Sequence, residues 1–168
     1  RQFDDRVVTI AKTLLIKSTQ RVTDSGRKMQ FRVVVVVGDR NGHVGIGVGK
    51  SEEIKPSLEY AVKNAKKNMI SLKMACGSWE CKCNSAHSIP KSSTGKEGST
   101  IVVLKPAPRG LGIAANATIK KVLAMIGVKD VWSTTGGNTS NVYNTAIATI
   151  KAIRNISEVK PHPVRGAE

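Results

Sequence analysis

The run Val44-Gly45-Ile46-Gly47-Val48-Gly49-Lys50-Ser51 has the residue types of a phosphate-cradling loop, and spacing decides whether it is one. Such a loop needs G-x-x-x-x-G-K-[ST], so that successive backbone N–H groups close around the anion. Gly49-Lys50-Ser51 supplies the end of that motif, but its first glycine falls on Val44. A dinucleotide fingerprint begun at Gly45 fails as well, because its third glycine falls on Lys50. Glu52 and Glu53 follow at once, and two carboxylates opening a helix favour its dipole while repelling a phosphate. The glycines need another reason. On a strand, residues 45, 47 and 49 share one face, which lets a helix or another backbone come close.

A second set of chemically capable residues is Cys76, Cys81, Cys83 and His87. Three thiolates and an imidazole complete a tetrahedral zinc shell with no position left for a substrate, so a metal here would be structural. The spacing C-x4-C-x-C-x3-H is not that of paired knuckles, and metal-free loop cysteines are the alternative reading. No other cofactor is called for. Acid-base or nucleophilic catalysis finds little: the three histidines, His43, His87 and His162, are scattered, and neither G-x-S-x-G nor H-E-x-x-H occurs. A non-enzymatic protein is expected.

Charge says more. Lys and Arg number 27 against 12 acids in 168 residues, a formal net charge of +15, while aromatic residues make up only 4%. That excess implies a polyanionic partner. Apolar runs such as Val33 to Val37 are too short to span a bilayer, and no basic amphipathic helix carries Trp or Phe on its apolar face, which leaves nucleic acid rather than membrane. Few aromatics argue for a folded RNA held by its backbone and shape. The candidate contacts form three groups. Lys17, Arg21, Arg27, Lys28 and Arg32 surround a polar hairpin tip. Lys105, Arg109, Lys120 and Lys121 surround "PAPRGLG", where glycines and a helix start offer backbone N–H groups to phosphate. His43 and Lys50 flank the glycine strand, and Lys55, Lys63, Lys66 and Lys67 follow on a helix, where a merely solvated face is the competing reading. Three cysteines cannot all pair within one chain, so a reducing cytoplasm is the expected compartment.

The elements that position these residues follow from periodicity. Val7 to Lys17 reads as a strand, followed by a long basic loop, "STQRVTDSGRKMQ". Phe31 to Val37 is too β-branched and short for a helix, and Asn41-Gly42 favours a tight hairpin returning from His43. Ser51 is placed to cap a helix with Glu52 and Glu53 in its first turn and a buried stripe at Ile54, Leu58, Ala61, Val62, Ala65, Met69 and Leu72. After a boundary near residues 74 to 86, Ser99 to Lys105 reads as a strand ended by Pro106 and Pro108. A helix with Ile119, Val122, Leu123 and Ile126 stops at Gly127, a strand runs from Val128 to Ser133, and Val142, Ala146, Ile150 and Ile153 mark a last helix. The expected domains are 1–75, a Cys/His connecting segment 76–87, a second domain 88–156 and an extended tail 157–168.

"RVVVVVGDRNGHVGIGVGKSEEIKPSLEYAVKNAKKN", "STIVVLKPAPRGLGIAANATIKKVLAMIGVKDVWSTTGGNT" and "NTAIATIKAI" resemble, in order and over nearly the whole chain, the small-subunit ribosomal protein S5 family. "CGSWECKC" followed by "HSIP" is similar to its archaeal branch. The resemblance implies an α+β fold: an N-terminal double-stranded-RNA-binding-like domain, an antiparallel sheet plus a helix, and a C-terminal α+β domain of the ribosomal S5 domain 2 kind. It implies a structural role in the small ribosomal subunit, binding ribosomal RNA, supporting assembly and translational accuracy near the decoding region. The implied neighbours are ribosomal proteins numbered four and eight and the path by which mRNA enters. Arg27, Lys28, Lys50 and Arg109 stand in matching motifs, as do Gly45, Gly47, Gly49, Gly110 and Gly112, which the family uses for close packing or interfaces. The alternatives are a free-standing double-stranded-RNA-binding regulator and a nucleotide-using enzyme built on the second half.

Overall fold

The computed structural model describes residues 10–74 and 86–157. The first half is a four-stranded sheet in the order β1 (Ile10–Thr23), β2 (Gly26–Gly38), β3 (His43–Ser51) and β4 (Ile70–Ser71), with helix α1 (Ile54–Lys67) between β3 and β4. The second half is a four-stranded sheet in the order β5 (Ser93–Glu97), β6 (Thr100–Pro106), β8 (Val131–Gly136) and β7 (Ile113–Ala114), with α2 (Ala117–Ile126) and α3 (Val142–Ser157). Among the described residues, β7 and β8 alone pair in parallel and the other strand pairs are antiparallel. The α+β class is as expected.

The valine run explains how the halves meet. All five residues from Val33 to Val37 are buried, so this strand is covered on both faces. Val33, Val35 and Val37 pack with Ala61 and Ala65 of α1. Val34 and Val36 point the other way, joining Val44 and Ile46 in a core with Leu123 and Ile126 of α2, Ile153 of α3, and Val102 and Leu104 of β6. The layers therefore run α1, first sheet, α2 with α3, second sheet.

The loop between β2 and β3 fastens this arrangement. Arg40 N donates to the carbonyl of Met125 (3.0 Å) and Gly42 N to that of Ile126 (2.9 Å). Carbonyls at the C-terminal end of a helix lack partners within it, so a loop from the other half satisfies α2. Gly127 ends α2 in the left-handed conformation (φ +96°), against the backbone of Arg40.

Several elements differ from the sequence reading. The segment after Lys17 is no loop: β1 continues to Thr23, paired with β2 down to Gly26, since only Asp24 and Ser25 have the chemistry of a turn. Thr23 Oγ1 donates to the Gly26 carbonyl (3.0 Å) across that turn, with Gly26 at φ +124°. The β2–β3 connection is the four residues Asp39 to Gly42 rather than a two-residue hairpin, because Arg40 must reach α2. Ser51 ends β3, the helix is entered from Glu53, and neither Glu52 nor Glu53 lies in its first turn. The helix stops at Lys67, short of Met69 and Leu72. Within "KSSTGKEGST" the chain forms β5 and turns at Gly98 (φ +58°), an element missed because its only buried position is a glycine. The next strand begins at Val131, not Val128.

Candidate nucleic-acid interface

The β1–β2 ribbon outruns the rest of its sheet: β3 pairs with β2 only as far as Phe31, so residues 19–23 and 26–30 project as two strands alone. Residues opposite one another in a ladder share a face. Lys17 lies opposite Arg32 and Arg32 opposite Lys50, so three cations stand abreast across β1, β2 and β3. Two rows further out, Arg21 lies opposite Lys28, with Thr19 and Gln30 between. No position of this face is a carboxylate. Like charges directly opposed destabilise a ribbon in isolation, and phosphate oxygens laid along them remove that repulsion. Lys17, Arg21, Lys28 and Lys50 are exposed. Arg27 is exposed too, but its partner Val22 places it on the opposite face.

Arg32 has other work. It is half-buried, its guanidinium carbon 5.0 Å from the ring centroid of Tyr143 on α3, which removes it from the free cations and makes it the point where the ribbon meets the second half. His43 is similarly engaged: its Nδ1 is 2.7 Å from Asp39 Oδ2. Asp39 Oδ1 accepts from the backbone N–H of Asn41 (2.9 Å) and of His43 (3.1 Å). Burial pushes the Asp39 carboxyl up, but those N–H groups and the His43 ring outweigh it and hold the pKa below its ordinary value.

The glycine strand carries α1. A Cβ on Gly45 would run into the carbonyl of Ala65, one on Gly47 into the backbone of Ala61 and Ala65, and one on Gly49 into that of Ser57 and Ala61. Ser57, Ala61 and Ala65, at i, i+4 and i+8, are the matching small residues of the helix. Lys55, Lys63, Lys66 and Lys67 are exposed on α1, which lies across the sheet from the row at Lys17, Arg32 and Lys50. The helix lysines and the ribbon cations are thus on different surfaces.

The segment "PAPRGLG" departs most from the sequence reading. Its glycine N–H groups do not face outward: Gly110 N (3.2 Å) and Gly112 N (2.9 Å) both donate to Oδ1 of Asp130, which is buried. They are committed to a carboxylate of the chain and are withheld from phosphate. Gly110 and Gly112 are also not close-packing glycines, since a Cβ on either meets open space; they are needed for positive φ, +93° and +75°. No helix begins at this loop, α2 starting only at Ala117. Lys105 and Arg109 are exposed, Lys120 is exposed and Lys121 half-buried, but Lys105 lies on the face of the second sheet turned away from α2. The four cations do not ring one site.

His87 lies at the same hub. It is buried, with Nδ1 2.7 Å from Asp130 Oδ2, and its carbonyl accepts from the N–H groups of Lys129 and Asp130 (both 3.1 Å). The role of Asp130 was missed in the sequence, where a lone Asp in "VKDVW" carries no periodic signal. Cys76, Cys81 and Cys83 lie outside the described residues. Among the described residues, no group of three or more Asp, Glu, His or Cys side chains is arranged to hold a metal, and no helix is long and apolar enough to cross a membrane.

Comparison with known proteins completes the picture. A family model described as ribosomal protein S5, N-terminal domain, matches residues 9–73, and one described as ribosomal protein S5, C-terminal domain, matches residues 95–164. The small ribosomal subunit protein uS5 of Methanocaldococcus jannaschii is 48% identical over 146 residues, 87% of this chain and 67% of that protein. That of Methanocorpusculum labreanum is 44% identical over 151 residues, covering 90% and 74%. That of Staphylothermus marinus is 52% identical over 136 residues, covering 81% and 64%.

Proposed function

The chain belongs to the ribosomal protein S5 family, and from that premise we propose that it acts as a structural constituent of the small ribosomal subunit by laying the Lys17–Arg21–Lys28–Lys50 face of its projecting ribbon along ribosomal RNA. The observation that carries this reading is the register: cation set opposite cation, with no acid on that face, in a ribbon whose neighbouring strand has ended. Its role is binding and scaffolding rather than catalysis. The compartment is the cytoplasm, within the ribosome. The second half faces neighbouring proteins, those numbered four and eight, and the ribbon reaches toward the path by which mRNA enters, where translational accuracy is affected. The experiment is sedimentation of tagged protein from lysate through a sucrose gradient, before and after a high-salt wash. Comigration with small subunits that survives moderate salt is expected; recovery only at the top of the gradient overturns the reading.

A structural zinc held by Cys76, Cys81, Cys83 and His87 belongs to the same proposal. What supports it is the His87–Asp130 pair, since a carboxylate on one ring nitrogen is the usual means of orienting the other toward a metal. The ion would tie the cysteine segment to the second half and take no part in chemistry.

A further inference from the structure

Among the described residues, the second sheet is covered on one face only. Val102, Leu104 and Val131 face α2 and α3 and are fully buried. By the two-residue alternation, Lys96, Ile101, Val103, Lys105, Trp132 and Thr134 share the other face, as their cross-strand pairing requires: Lys96 with Ile101, Val103 with Thr134, Lys105 with Trp132. This face is open. Trp132 is 55% exposed and Ile101 37%.

An indole left more than half in water forgoes much of the burial that makes Trp favourable in a fold, and here its strand neighbours are specific. Lys105 stands directly opposite, within the span at which cross-strand side chains interact. Lys96 is exposed on the outer strand. None of the six residues is acidic, and the one carboxylate of β5, Glu97, is turned to the other side, where it pairs with Lys151 of α3. A flat π surface beside an ammonium group suits one chemistry above others: a nucleobase on the ring and its flanking phosphate on the lysine. The base must be unpaired, because in an A-form duplex both base faces are occupied by neighbours.

We propose that Trp132 is a stacking platform for an unpaired base of RNA, with Lys105 holding the adjoining phosphate and Lys96 standing further along the same face, beyond the reach of that base. The site deepens the RNA-binding function proposed above and rests on it, but it reads single strand where the ribbon reads backbone. Full-length protein titrated with an eight-nucleotide oligoadenosine and, separately, with a 16-base-pair RNA duplex tests it. Oligoadenosine quenches tryptophan fluorescence in the wild type, and Trp132→Phe abolishes that quenching while keeping most of the affinity. Trp132→Ala, which should melt as the wild type does, binds oligoadenosine roughly 5- to 150-fold more weakly with duplex affinity unchanged. Wild-type affinity of Trp132→Ala for oligoadenosine overturns the platform and leaves the ribbon's role standing. If that variant binds oligoadenosine normally but is lost from small subunits, the face docks a protein and the proposal is equally overturned. If wild type binds neither RNA, the RNA-binding function fails with it.

Discussion

Arg32 of β2 and Tyr143 of α3 are joined by a cation–π contact, the guanidinium carbon 5.0 Å from the ring centroid. A cation at the base of the projecting ribbon thereby holds the two halves together. Replacing Tyr143 by Leu should destabilise the chain by about 1–2 kcal/mol, since the site is partly desolvated, and Tyr143→Phe by less than about 0.5 kcal/mol. Urea denaturation of both variants measures this, and equal losses would mean that the phenol rather than the ring matters.

Arg21 and Lys28 give opposite signs for folding and binding. Replacing both by Gln relieves a like-charge pair and should stabilise the free protein by up to about 1 kcal/mol. The same double variant should lower the slope of log affinity against log salt by about one unit per residue in RNA binding. Titrations over a range of salt concentrations alongside thermal melts read both effects.

Glycines with different tasks separate cleanly. Gly47→Ala drives a methyl group into the α1 backbone, and because a helix backbone cannot step aside, a loss at or above about 3 kcal/mol is expected. Gly110→Ala meets no atom and pays only for its left-handed conformation, about 1–2 kcal/mol. Chemical denaturation should rank them in that order.

Asp39 sets a pH dependence. Its pKa in the folded chain is depressed, so its contribution is fully present above the unfolded value near 3.8 and is lost as pH falls through the lower folded one. Asp39→Asn should cost about 1–3 kcal/mol at neutral pH through the weakened bonds to Asn41, His43 N and the His43 ring. The difference in melting temperature between wild type and variant should shrink in strong acid.

Zinc is checked by elemental analysis. Protein purified without chelator should carry an equimolar amount, and Cys81→Ser should lose it while RNA binding by the ribbon persists. Metal-free protein with unaltered stability would overturn the metal site.

Much of this was legible in the residues. Glycines two apart facing small residues four apart announce a helix laid on a strand, and solid valine announces a strand covered twice. What escaped has a physical pattern. The ribbon past Lys17 is exposed on both faces, and Val22 and Met29 are its only large apolar side chains, so no sustained hydrophobic alternation marks it as paired. Gly95, the only buried residue of β5, carries no side chain to reveal the strand. Asp130 and Arg32 are long-range contacts, with partners 18 to 43 positions away and in 111 positions respectively, and single residues carry no periodicity. The glycines of "PAPRGLG" misled because a phosphate and a carboxylate ask the same thing of a backbone N–H.

The valine run also governs how the molecule comes apart. Its odd residues complete one core and its even residues the other, so pulling β2 from either empties both. A shared strand leaves little seam along which one half could melt while the other survives, and loss of structure is expected as a single cooperative transition, read as coincident melting curves from two probes. A ribosomal scaffold built this way is either whole or absent, and offers its RNA no half-folded form to trap.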